Sequence, residues 1–283
     1  CGYGIHGHDR RDGRVTRMSI LEFRGVTKEY RVRGGRTFKA VDDVSFTLEP
    51  GKTIALVGQS GSGKSTIAKM LAQLERPTSG EILLDGKKVA RRGAGLANYR
   101  REVQMVFQDP FASLNPFHTV GRHIARPLLI HKRATHGNVS NGVETLLERV
   151  QLVPARIMAA RKPHELSGGQ RQRVAIARAL APQPSILIAD EPVSMLDVSI
   201  RLGVLNLLGA LQREEDLGVL YITHDLATAR HFSDEIIVLN KGAIVERGPS
   251  DDVILRPQAD YTKRLLAASP NPEIHFGDAA PIV

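Results

Sequence analysis

Apolar residues recur along the chain in short runs of strand length, at 44–48, 53–57, 81–84, 103–107, 186–189, 219–223 and 236–239. Most of these runs are apolar throughout instead of alternating with polar residues, which marks strands covered on both faces. Stretches with helical spacing lie between several of them, notably 64–74, 170–180 and 200–213. Strands buried on both faces and alternating with helices predict an α/β fold built on a largely parallel sheet, beginning at Ile20.

The segment 109–184 breaks that alternation. It is mostly helical in pattern, with a polar break at 138–141 ahead of the periodic stretch 143–150, and it reads as a helical insertion into a sheet domain spanning 18–250. No motif occurs twice, so one unit is expected, not a tandem fusion. Residues 251–283 form a C-terminal extension, and residues 1–17, rich in Gly, His, Arg and Asp, match neither a secretory signal nor a strand or helix. Met18 is the expected biological start. His6 and His8 in that polar tail fall short of the three or four converging ligands a metal requires.

Composition changes this picture little. With 283 residues, 42% of them hydrophobic, the chain can bury a substantial core. No apolar run approaches the roughly 18 residues that a membrane-crossing helix requires, so a soluble protein is expected, with any membrane role peripheral. A net charge of +9 and a pI near 9.9 raise the question of nucleic acid. The basic residues are spread along the chain, however, and a protein beneath an anionic cytoplasmic leaflet also gains from being basic, so nucleic acid is not the expected partner. The single cysteine, Cys1, excludes an internal disulfide or a cysteine-ligated zinc site within the chain.

The strongest chemical signal follows the run 53–57. There Gly58-Gln59-Ser60-Gly61-Ser62-Gly63-Lys64-Ser65 matches G-x-x-x-x-G-K-[ST], and the stretch from Thr66 continues as a helix, which is the context a phosphate-binding loop needs. Glycines at 58, 61 and 63 let successive N–H groups turn inward around an anion, and the helix N-terminus adds partial positive charge. Lys64 then reaches the β- and γ-phosphates, and the Ser65 hydroxyl is placed for Mg²⁺.

The run 186–189 ends in Asp190-Glu191, two adjacent carboxylates whose side chains point in different directions. In phosphoryl transfer one such group holds Mg²⁺, often through water, and another orients the attacking water. Asp190 suits the first role and Glu191 the second, although a solvated strand end leaves the same residues there. Leu166-Ser167-Gly168-Gly169-Gln170 opens a helix, where the Ser167 hydroxyl and bare glycine N–H groups form a second anion site.

In this combination of motifs the chain resembles the nucleotide-binding subunit of an ATP-binding cassette (ABC) transporter. The resemblance implies an ATP hydrolase with ATP and Mg²⁺ as its cofactors, a P-loop core with a mainly parallel central sheet, an N-terminal antiparallel β portion and an inserted α-helical subdomain. It also implies that Leu166 to Gln170 cap the γ-phosphate of ATP held on a partner's phosphate loop. Residue by residue, Tyr30, expected just after the first strand, takes the place of the ring against adenine, although a lone Tyr also serves packing. Gln108, ending the strand expected over 103–107, takes that of the glutamine reaching Mg²⁺ and the attacking water, His224 that of the histidine on the γ-phosphate, and Asp197 that of the loop joining the two sites; many relatives carry alanine where Met195 stands.

The stretches 106–116, 191–200 and 261–266 look like the oligopeptide/dipeptide importer branch, and the likeness runs from about Ile20 to Pro272. It implies a second ABC ATPase subunit, identical or paralogous, transmembrane permease subunits, and indirectly an extracytoplasmic solute-binding protein, at the cytoplasmic face of the membrane. The cysteine cluster that some subunits of the branch carry near the C-terminus is absent. The rival reading, a non-transport ABC ATPase acting on nucleic acid or ribosomes, calls for a second cassette, a long coiled coil or zinc-binding cysteines, none of which the sequence shows.

Overall fold

In a computed structural model the chain is described over residues 19–31 and 35–268. The tail 1–17 with His6 and His8, the proposed start at Met18 and the end of the family likeness at Pro272 lie outside the described residues.

Two sheets organise the molecule. The first strand, β1 (Leu21–Arg31), pairs antiparallel with β2 (Thr37–Leu48) on one side and β4 (Ser79–Leu84) on the other, and β5 (Lys87–Lys88) completes the order β2-β1-β4-β5. The second sheet has the order β10-β9-β3-β8-β7-β6, from β3 (Thr53–Val57), β6 (Val103–Val106), β7 (Ile186–Asp190), β8 (Gly218–Thr223), β9 (Glu235–Asn240) and β10 (Ala243–Pro249). All its pairs are parallel except β9 with β10. The mainly parallel central sheet and the N-terminal antiparallel portion are thus both present.

Continuous apolar runs became central strands because each face meets a different layer. In β3, Ile54 and Leu56 face one core, with Phe23 and Phe46 of the antiparallel sheet and Ile67 and Met70 of α1 (Lys64–Leu71), while Ala55 and Val57 face the other. The same period of two sends Ile186 and Ile188 to the first core and Leu187 and Ala189 to the second. Each fully buried Ile or Leu contributes roughly 1.5–3 kcal/mol, so both layers hold the strands in register.

Between β5 and β6 runs α2 (Gly93–Glu102). After β6 the chain leaves the sheet for α3 (Pro110–Ser113), α4 (Val120–Ile130), α5 (Val139–Arg149), α6 (Ala155–Ala160) and α7 (Gly168–Leu180), and returns as β7 beside β6. The fold closes with α8 (Val198–Glu215), α9 (Leu226–Phe232), α10 (Ser250–Leu255) and α11 (Asp260–Ala267).

Three sequence expectations need adjusting. The polar stretch 138–141 is no break: Val139 to Asn141 form the first turn of α5, where polar side chains face solvent, and Asn138 closes the preceding turn by accepting from the Thr135 N–H at 2.7 Å. Tyr30 lies inside β1, not after it, because register shifts along the β1–β2 ladder carry the pairing on to Tyr30 with Phe38 and Arg31 with Thr37. Gln108 stands two residues beyond the end of β6, since the ladder with β7 stops at Val106 opposite Ala189.

Candidate nucleotide site

The loop between β3 and α1 is pressed against its surroundings. A Cβ on Gly58 would meet the Leu239 carbonyl oxygen at 2.2 Å, and one on Gly63, where φ is +110°, would meet the Ala40 carbonyl oxygen at 2.3 Å. Gly61 also has a positive φ but nothing within 4 Å of its Cβ position. Packing against β9 and β2 therefore demands two of the glycines, and backbone conformation favours the third. Lys64, 5% exposed, folds back so that Nζ donates to the Gly58 carbonyl at 2.6 Å and the Gln59 carbonyl at 3.0 Å. Burial pulls its pKa below the usual lysine value, and the Glu191 and Asp190 charges partly offset this.

The acidic pair sits at the end of the central strand β7. Asp190 is 8% exposed, and its Oδ1 has no hydrogen-bond partner. Burial, then the Glu191 charge, pushes its pKa up to about 6 against the pull of Lys64 and Lys69. Glu191 adopts φ +44°, an unusual backbone for a non-glycine residue, pinned by its N–H donating to the Ile222 carbonyl at 2.9 Å. That turn brings its carboxylate between two partners: Gln108 Nε2 donates to Oε2 at 3.0 Å, and His224 Nδ1 lies 3.2 Å from Oε1. Three adjacent parallel strands thus deliver Gln108, Glu191 and His224 to one point.

These groups line a cleft of about 1270 Å³ that also includes Tyr30 and the loop residues Gly58, Gln59, Ser60, Gly61, Gly63, Lys64, Ser65 and Thr66. Ser62 and Asp190 stand behind its wall, both buried. The Tyr30 hydroxyl donates to the Glu75 carboxylate, and Lys28 Nζ lies 4.9 Å from the ring centroid. Burial, with the Glu75 bond second, raises the Tyr30 pKa.

The segment Leu166 to Gln170 is elsewhere. No residue of it lines the cleft, and neither does Asp197. Ser167 caps α7 in a reciprocal box: its Oγ accepts the Gln170 N–H at 3.2 Å, and Gln170 Oε1 accepts the Ser167 N–H at 3.0 Å. Gly169 packs on the start of α8, where a Cβ would come 2.5 Å from Ile200 Cγ2. Asp197 is the exposed N-cap residue of α8.

Sequence reasoning passed over several lining residues, among them Arg201, Asp225 and Leu265. Arg201 Nη1 lies 3.7 Å from the Asp225 carboxylate, which caps α9 by accepting from Ala227 and Thr228. Their spacing along the chain carries no motif. The only advance signal was that Asp225 directly follows His224.

The profile of the family described as ABC transporter matches residues 41–194, more than half of the chain. The chain belongs to the ABC transporter family. Among ABC relatives it is 46% identical over 258 residues to the glutathione import ATP-binding protein GsiA of Pectobacterium atrosepticum, a match covering 89% of this chain and 41% of that protein. The chain thus spans less than half of that relative's length. It is 45% identical to a Brucella ovis protein provisionally named as a peptide import ATP-binding protein, covering 92% of this chain and 81% of the relative. Among solved ABC structures, CbiO1 of Clostridium perfringens, part of the transporter complex cbiONQ, superposes with a TM-score of 0.74 at 26% identity, over 85% of this chain and 92% of that one. The ATP-binding cassette MJ0796, in a dimeric post-hydrolysis state bound to ADP and Pi, gives 0.72 at 33% identity, over 81% and 98%. No helix among the described residues is long and apolar enough to cross a membrane.

Proposed function

We propose that this chain is the ATP-hydrolysing subunit of an ABC importer for peptides or similar small solutes. The observation that carries the reading is the Glu191 carboxylate, held between Gln108 and His224 in the cleft that the phosphate loop lines. Tyr30 offers its ring to the base, the loop from Gly58 to Thr66 turns the Lys64 ammonium and N–H groups other than those of Gln59 and Ser62 toward the phosphates, and Glu191 orients water for attack on the γ-phosphorus. Lys64 leaves two backbone carbonyls to do so, an exchange of neutral acceptors for anionic ones that its burial favours. His224 and Gln108 fix the carboxylate so that little reorganisation remains at the moment of reaction.

The residues also fit Mg²⁺. Asp190 presents a buried, unpartnered carboxylate oxygen that disfavours its own charge, which is what a cation would relieve, with the Ser65 hydroxyl and the Gln108 carbonyl completing the protein's donors. Held there, Mg²⁺ would supply positive charge against the negative charge of the phosphates.

Because the segment Leu166 to Gln170 lies outside the cleft, its anion-binding helix end serves a second subunit, whose own segment caps the γ-phosphate here. The dimeric MJ0796 structure supports that arrangement, and the names of the GsiA and Brucella relatives support an import role. On this reading the subunit sits at the cytoplasmic face of the membrane, its helices between β6 and β7 meet the permease, and a solute-binding protein acts outside.

The test is Glu191→Gln, which keeps the side chain's shape and its bond from Gln108 but removes the charge. ATP binding should persist while turnover falls at least ~10²-fold. Near-normal phosphate release by that variant would remove Glu191 from the role.

A further inference from the structure

The C-terminal helix α11 reaches the nucleotide cleft. Leu265 and Ala268 form part of its wall, and the Tyr261 hydroxyl accepts a hydrogen bond from the Gln59 backbone N–H at 3.2 Å, across 202 positions of sequence. Gln59 is a node of the phosphate loop. Its carbonyl accepts from the Ser62 N–H at 3.1 Å and from Lys64 Nζ at 3.0 Å. One residue therefore joins Tyr261 on one side to the phosphate-binding lysine on the other.

The helix that carries Tyr261 is itself held. Glu246 of β10 accepts from the N–H groups of Gln258 and Ala259 at 2.7 and 3.1 Å, fixing the entry to α11. Tyr261, Leu265 and Leu266 pack against the main hydrophobic core, and Thr262 is fully buried. The hydroxyl is thus presented to Gln59 by a fixed element, not by a swinging side chain.

We propose that Tyr261 is a positioning residue that holds the phosphate loop in its nucleotide-binding conformation, coupling α11 and its Glu246 anchor to nucleotide affinity. This rests on the assignment of Gly58 to Ser65 as the phosphate cradle. The amides of such a loop converge on an anion only while the loop keeps its shape, and satisfying the Gln59 N–H from outside helps to hold that shape. Without the hydroxyl the loop gains alternatives, and nucleotide binding has to reverse that freedom.

Tyr261→Phe keeps the ring and removes only the hydroxyl. From the net worth of one neutral hydrogen bond, the dissociation constant for a fluorescent ATP analogue and the KM for ATP should each rise about two- to tenfold. The kcat at saturating ATP should stay within about twofold, because the hydroxyl bonds the loop and none of the groups around the Glu191 carboxylate. Glu246→Ala should shift KM the same way, and the double variant should be no weaker than the stronger single one, as coupled positions require. Unfolding by urea without nucleotide separates packing from positioning. Unchanged affinity and KM in Tyr261→Phe, with or without lost stability, would overturn the proposal, as would a fully additive double variant. A wild-type chain that failed to bind ATP would instead sink the functional reading itself.

Discussion

Gly63 and Gly61 have positive φ angles of +110° and +79° in one loop, but only one of them is crowded. Replacing either by Ala forces a non-glycine residue into left-handed backbone, at a cost of about 1–2 kcal/mol. Part of that is offset by the roughly 0.4–1 kcal/mol that a less flexible unfolded chain returns. At Gly61 the new methyl meets nothing within 4 Å, so the net loss should be about 0–1.5 kcal/mol. At Gly63 the methyl would stand 2.3 Å from the Ala40 carbonyl oxygen. Backbone of β2 has to move, which adds the penalty of overpacking, about 1–3 kcal/mol. The unfolded-state term enters both variants alike, so the difference between them reports the contact with Ala40 together with the extra strain of φ +110° over +79°. Urea unfolding of the two variants and the wild type, without nucleotide, measures that difference from midpoints at common slope. Equal losses, or a larger loss at Gly61, would refute the argument that the antiparallel sheet buttresses the phosphate loop.

Asp190 supplies a pH dependence. Its carboxyl rises from 3.8 to about 6 in the folded protein, so its contribution to stability is complete below about 3.8 and is lost as the pH rises through about 6, an effect of about 3 kcal/mol at ~1.4 kcal/mol per tenfold change in proton affinity. Asp190→Asn should therefore stabilise the chain in EDTA at pH 7.5 by about 1–3 kcal/mol and flatten unfolding free energy between pH 4 and 6, while weakening Mg-ATP binding; a destabilised variant would contradict this. Ser167→Glu keeps an acceptor at the α7 N-terminus but sets a carboxylate against a partner's phosphates. Nucleotide affinity of the isolated chain should stay within about twofold while hydrolysis falls at least ~10²-fold, and parallel loss of both in titration and phosphate-release assays would place Ser167 in its own chain's site.

What was legible in the sequence was whatever is determined locally or buried on both sides. The phosphate loop, its flanking strand and helix, and the Ser167 cap all draw on residues within a few positions of one another, and the central strands announce themselves because both their faces are covered. The edge strands were harder. Burial along β10 runs from intermediate to exposed, and β2 opens with three exposed residues, so β10 and the start of β2 build no apolar run even though each joins a ladder. Arg201 and Tyr261 were invisible as site residues for another reason. Their contacts depend on where α8 and α11 dock, and no local pattern encodes docking.

The arrangement of the acids shows how local rules and tertiary context divide the work. Period-two alternation alone puts neighbours on opposite faces, which accounts for Asp190 turning behind the loop wall. Past the strand end, the bond from the Glu191 N–H to Ile222 of β8 sets the positive φ that aims its carboxylate at Gln108 and His224. Parallel strands end at one edge of the sheet, so the order β8-β7-β6 places the residues that follow those ends side by side. Sheet topology and the turn at Glu191 together give the cleft its three convergent side chains. The Ser167 end of α7 follows from no such rule, because it lies outside the cleft; on the proposed reading a site that uses it is closed by another copy or a relative of this chain.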